Sequence, residues 1–98
     1  MERQVIFSLR FEKNIDRLYE YLLEEFSSKA AYRFLKKLYD KIDIIARYPD
    51  IGSPSLKMRN VRSVILRPYN KIYYRLEGGT IELPCINDMR RDNSHSLY

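Results

Sequence analysis

The residues of this sequence best suited to chemistry are cations and tyrosines in its second half. Lys57, Arg59, Arg62, Arg67, Lys71 and Arg75 lie between Asp50 and Glu77 with no acid among them. Tyr73 stands between Lys71 and Arg75, and the tail adds Arg90, Arg91, His95 and Tyr98. Such a set can hold a nucleic-acid backbone by its phosphates, stack bases on tyrosine rings and stabilise charge at a scissile phosphate. Metal-free cleavage through a 2′-hydroxyl needs a base to deprotonate it, a cation to neutralise the phosphorane and an acid for the leaving oxygen. Arginine or lysine with tyrosine or histidine can supply all three. The same basic and aromatic surface equally suits an acidic protein, and many charged surfaces are merely solvated.

Other chemistries lack their signatures. The sequence has no glycine-rich phosphate loop, no zinc-ligand spacing and no nucleophile elbow. A single cysteine, Cys85, has no partner for an internal disulfide, and one histidine adds nothing to a metal set. No metal and no cofactor are expected, and Cys85, in an apolar stretch, reads as a small core residue. Charge is unevenly distributed. Residues 1–56 hold ten bases and nine acids, whereas 57–98 hold eight bases and four acids, so +4 of the net charge of +5 falls in the second half. That asymmetry points to a polyanionic partner, nucleic acid or acidic protein.

The elements that must position these residues follow from periodicity. Gln4 to Leu9 is short and rich in β-formers, which suits a first strand, and Ser8 can cap a helix begun just after it. Phe11, Ile15, Leu18, Tyr19, Leu22 and Phe26 form one helical stripe. Ser27-Ser28 breaks it and offers a cap for a second helix carrying Ala31, Phe34, Leu35, Leu38, Ile42 and Ile45, which Pro49 stops. Tyr48 to Ser55, with two prolines and a glycine, reads as a loop. Strands are predicted over Val61 to Arg67, Lys71 to Leu76 and Thr80 to Leu83, with Gly78-Gly79 as a tight turn and Pro84 demanding a bulge or an unpaired edge. In the middle strand Ile72, Tyr74 and Leu76 point to one face and Lys71, Tyr73 and Arg75 to the other. The tail from Asp88 to Tyr98 is polar and weakly patterned, which suits a short helical turn or a partly mobile end.

The expected fold is therefore α+β: an N-terminal strand, an antiparallel helix hairpin, then a three-stranded antiparallel meander with the helices packed on one face of the sheet. Length predicts one domain over 1–98. No apolar run approaches the roughly 20 residues of a membrane span, and the charged N-terminus resembles neither signal peptide nor anchor, so a cytoplasmic location is expected.

The order of elements, with Tyr48-Pro49-Asp50-Ile51-Gly52 after the second helix, Val61-Arg62 opening a strand, Tyr69 to Arg75 (YNKIYYR) in the next and Ile86 to Asp92 (INDMRRD) at the end, resembles the ParE/RelE superfamily of toxins from bacterial type II toxin–antitoxin modules. The resemblance implies growth inhibition, neutralised by a cognate antitoxin that covers the active face. ParE-like members inhibit DNA gyrase, whereas RelE-like members cut messenger RNA on the ribosome. The long hairpin and the Tyr-Pro-Asp-Ile-Gly turn are more similar to the ParE-like branch, which makes gyrase inhibition the leading expectation. If RelE-like, the catalytic set carried over is Lys71, Arg90, His95 and Tyr98, with lysine in place of a bidentate strand arginine and Tyr98 two residues beyond the usual tyrosine. Lys57, Arg59, Arg62, Tyr73, Arg75 and Arg91 are then expected to contact the target or antitoxin. A third possibility is a module that binds its partner without poisoning anything.

Overall fold

A computed structural model of the chain describes residues 3–90 and 98; the predicted tail turn, Arg91 and His95 fall outside the described residues. Helix α1, Leu9–Glu25, starts where predicted. Ser8 is extended (φ −72°, ψ 159°) and its hydroxyl accepts the Phe11 N–H at 3.0 Å, satisfying one of the first-turn donors. Ser27 does the same for α2, Ser28–Arg47, by accepting the Ala30 N–H at 3.0 Å. Only Phe26 and Ser27 separate the helices, so they return as a hairpin. Pro49 then opens a single 3-10 turn, Pro49–Ile51, at a position whose N–H would have no partner anyway.

The strands β1 Gln4–Phe7, β2 Ser53–Pro54, β3 Val61–Leu66, β4 Asn70–Glu77 and β5 Thr80–Asp88 form one sheet in the order β1-β5-β4-β3-β2. β3, β4 and β5 are the expected antiparallel meander, turned between β4 and β5 at Gly78, whose φ of +57° favours glycine. β1 joins β5 in parallel, which makes the sheet mixed. The stretch read as a loop after α2 also contributes a strand, since Ser53 and Pro54 pair with Ser63 and Arg62. Two residues show no alternation to detect, and proline is tolerated there because β2 is an edge.

Both helices cover one face of this sheet. Phe11 and Ile15 of α1 and Leu38, Ile42 and Ile45 of α2 are buried against Ile72 and Tyr74 of β4 and Ile81, Leu83 and Ile86 of β5. Burying each large aliphatic side chain stabilises the fold by roughly 1.5–3 kcal/mol.

The inward set on β5 breaks strict alternation, and Pro84 explains it. Tyr73 pairs with Cys85 but Arg75 pairs with Glu82, so Leu83 and Pro84 together oppose Tyr74. This is the bulge that Pro84 demanded. It returns Ile86 to the helix side and turns Cys85 to the other face. β1 ends opposite Leu83, and beyond it α1 supplies β5 with side-chain partners instead. The Ser8 hydroxyl donates to the Pro84 carbonyl at 2.9 Å, and the Asn14 side-chain oxygen accepts the Ile86 N–H at 3.0 Å.

Tyr74 ties the sheet to the turn after α2. Its hydroxyl, at the end of a fully buried side chain, donates to the Pro49 carbonyl at 2.6 Å and accepts the Gly52 N–H at 2.9 Å. A Cβ at Gly52 would stand 2.5 Å from that oxygen and 2.9 Å from the Ser63 carbonyl, so only glycine fits. Burial pushes the phenol above its ordinary value of 10.0.

Two stability measurements test these joints. Ser8→Ala removes both a helix cap and the donor to a bulge carbonyl, and is expected to cost about 2–3 kcal/mol in denaturant unfolding. Ser8→Asp accepts but cannot donate, so it should recover only the capping share; a Ser8→Ala loss below about 0.5 kcal/mol contradicts the dual role. Because the folded pKa of Tyr74 is raised, its neutral form stabilises the fold below about pH 10, and that contribution is lost as pH climbs toward the folded value. Tyr74→Phe should be less stable than the parent near neutral pH by about 1–3 kcal/mol, with the gap narrowing above about pH 10.

Candidate functional site

The face of the sheet turned away from the helices carries the predicted β4 set. Lys71 lies between Ile65 and Asn87, Tyr73 between Ser63 and Cys85, and Arg75 beside Val61 and Glu82. The centre of this face is closed. Tyr73 is only 6% exposed, packed in a small second core with Val61, Cys85, Met58 and Tyr98. The Tyr98 ring sits 5.5 Å from that of Tyr73 at an interplanar angle of 36°. Ser55 holds Tyr98 there. Its hydroxyl donates to the Tyr98 carbonyl at 2.7 Å and accepts the Lys57 and Met58 N–H groups at 3.0 and 3.1 Å.

This burial corrects the expectation that Tyr73 is open for stacking, because its faces are occupied by the protein itself. Tyr98, partly exposed, is the outer ring of the pair. The cations flank it: the Lys71 ammonium is 6.0 Å from the Tyr73 centroid, and the Arg75 guanidinium is 6.0 Å from that of Tyr98. Arg75 also pairs with Glu82 at 3.2 Å, a partly exposed bridge that contributes at most about 1 kcal/mol. Burial pushes the Cys85 thiol up, which makes it a poor nucleophile and fits its reading as a core residue.

The remaining predicted residues are dispersed. Arg62 turns to the helix side, where it donates to the Gly52 carbonyl at 2.7 Å and the Asp50 carbonyl at 3.4 Å and braces the turn after α2. Lys57 and Arg59 are exposed in the loop before β3. Arg90 is drawn toward the helices: it forks onto Asp88 at 3.1 and 2.8 Å, stacks on Tyr69 at 4.3 Å and lines a cleft with residues of α1 and α2. The structure thus brings together Lys71, Tyr73, Arg75 and Tyr98, while Arg90 belongs to another surface. Arg91 and His95 lie outside the described residues.

The groups on the outer face define its chemistry. Two cations on a strand can neutralise an anionic partner, and the partly exposed ring of Tyr98 lies beside them. Among the described residues no group of three or more metal-ligating side chains is clustered. Sequence reasoning missed Ser55 and Glu82. Ser55 had a local signal, a serine able to accept N–H groups two and three residues on, whereas Glu82 is paired with Arg75 only through the bulged register.

Comparison with known proteins places this architecture. In solved structures the chain is similar to the chromosomal ParDE toxin–antitoxin system of P. aeruginosa, with a TM-score of 0.75 and 12% identity over 89% of this chain and 96% of that one. It is also similar to a YoeB/ParE toxin from Agrobacterium tumefaciens (TM-score 0.65, 18% identity, 87% and 96% covered) and to the RelBE2 toxin–antitoxin complex of Mycobacterium tuberculosis (0.57, 16%, 90% and 99%). At these identities the likeness shows the fold. No curated protein matches the sequence. Residues 5–93 match the family described as the ParE toxin of type II toxin–antitoxin system, parDE, and the chain therefore belongs to the ParE toxin family.

Proposed function

We propose that this toxin inhibits growth by binding DNA gyrase, and that a cognate antitoxin neutralises it. The family match over residues 5–93 carries the reading. The scattering of the residues a RelE-like nuclease would use adds support, since Arg90 is held by Asp88 and Tyr69 on the helix side while Lys71 and Tyr98 lie on the outer face. A binding surface does not need those groups to converge, whereas phosphoryl transfer does. Lys71 and Arg75 then serve as cationic contacts on the outer face.

Ribosome-dependent cleavage of messenger RNA is the second reading, and one observation favours it. Lys71, Arg75 and Tyr98 do share the outer face, giving two cations and a phenol within one patch.

In a supercoiling assay with purified gyrase, the toxin at micromolar concentration is expected to block the reaction. Lys71→Glu combined with Arg75→Ala should raise the half-inhibiting concentration at least about tenfold, the effect of losing roughly 1.4 kcal/mol of contact. Tyr98→Phe keeps the ring and both cations and removes at most one neutral hydrogen-bonding group, so it should change it by less than the double cation variant does. Unimpaired supercoiling at high toxin excess would sink the gyrase reading.

A further inference from the structure

Asn70 opens β4 on the same parity as Ile72 and Tyr74, so its side chain points to the helix face of the sheet. It is only 9% exposed, the one amide or charged residue buried among those described. Its carboxamide makes no hydrogen bond to a described residue, yet no side-chain polar atom among those residues is both sealed from solvent and unmatched. The amide therefore reaches open space. That space is a pair of adjoining cavities of about 530 and 780 Å³, both of which include Asn70 in their walls. A carboxamide so far buried, and not paired by the protein, calls for a partner from outside.

The smaller cavity is the cleft that Arg90 lines. α2 presents Ala30, Arg33, Phe34 and Lys37 to it, one stripe at steps of three, one and three. Arg17 faces it from α1 and Arg67 from the β3–β4 turn. Against these cations stands one carboxylate, Asp88, onto which Arg90 already forks at 2.8 Å. Among the described residues no carboxylate lies within ion-pair distance of Arg17, Arg33, Lys37 or Arg67. The floor is apolar, made by Leu18, Leu22 and Phe34, and the exposed rings of Tyr21 and Phe26 extend it to the tip of the hairpin. Of the lining residues on each helix, Arg17 and Lys37 lie farthest from that tip, so the cleft is polar at the Asn70 end and apolar at the other.

We propose that this cleft binds a small amphipathic anion, its carboxylate or phosphate head held by Arg17, Lys37, Arg67 and the Asn70 amide and its apolar tail laid along Leu18, Leu22 and Phe34. Cations gathered with few acids draw an anion in, and an apolar floor rewards one that carries a tail. A cavity of about 530 Å³ is of the size that takes a small organic ligand. A nucleotide would meet the charge but not the surface, because a base needs an open ring face. Tyr69 already carries the Arg90 guanidinium at 4.3 Å, and Tyr21 and Phe26 pack edge to face at 6.1 Å.

The probes are dodecyl phosphate and dodecanoate, titrated into the full chain by calorimetry below their micelle-forming concentrations. Inorganic phosphate, dodecyltrimethylammonium, octyl phosphate and adenosine monophosphate run in parallel. At least one dodecyl anion is expected to bind tenfold or more tighter than inorganic phosphate or the ammonium amphiphile, and the tighter of the two identifies the head. Octyl phosphate should bind at least threefold weaker than dodecyl phosphate, because fewer methylenes reach the floor. Arg17→Glu with Lys37→Glu, both exposed positions, should weaken the dodecyl anion at least tenfold and strengthen the ammonium amphiphile, a charge swap that unfolding cannot mimic. Asn70→Asp, close in shape but like-charged with the head, should weaken it at least threefold. Lys36→Glu, exposed on α2 and outside the lining, should change it less than twofold. The proposal is overturned if neither dodecyl anion binds, if inorganic phosphate or the ammonium amphiphile matches them, or if adenosine monophosphate binds tighter. An undiminished affinity in the Arg17/Lys37 or Asn70 variant, or an equal loss in Lys36→Glu, overturns it as well.

Discussion

The structure turns on one point in the sheet, where Tyr74 of β4 faces the two-residue bulge at Leu83-Pro84. On one side of that point the phenol hydroxyl reaches under β3 to the Pro49 carbonyl and the Gly52 N–H, fixing the end of α2 to the sheet. On the other, the bulge resets the parity of β5, so that Ile86 returns to the helix core and Cys85 joins the outer cluster. Ser8 closes the arrangement by capping α1 and donating to the Pro84 carbonyl with a single hydroxyl. Buried polar groups left unmatched here would each cost about 1–3 kcal/mol, so this junction couples hairpin, sheet and both faces.

That coupling divides the basic residues between two surfaces of different chemistry. The outer face has Lys71 and Arg75 flanking the Tyr73–Tyr98 pair, and one of its cations is moderated by Glu82. The cleft between the helix hairpin and the β3–β4 turn gathers Arg17, Arg33, Lys37, Arg67 and Arg90 around an apolar floor, with Asp88 the one carboxylate among its described lining residues.

Local features were legible in the sequence and distant ones were not. Ser8 and Ser27, the apolar stripes of both helices, the alternation of β4 and the Gly78-Gly79 turn depend on neighbours a few residues away, and each stands as expected except at Phe26, which caps the end of α1 and is exposed where the stripe placed it with the core. Pro84 announced a bulge because a missing N–H cannot be hidden in a ladder. Arg62 misled, since its parity alone could not show that β2 would bring the Gly52 carbonyl beside it. Tyr73 was expected to be open because Tyr98, 25 residues on, had no local signal for covering it.

The central claim, that this toxin acts by binding a target and not by cutting RNA, is tested most directly by primer extension on messages from cells expressing it without antitoxin. Growth arrest with intact transcripts is the expected result. Cuts within codons that depend on active translation, and that disappear when Lys71 and Tyr98 are replaced in a folded chain, would contradict it.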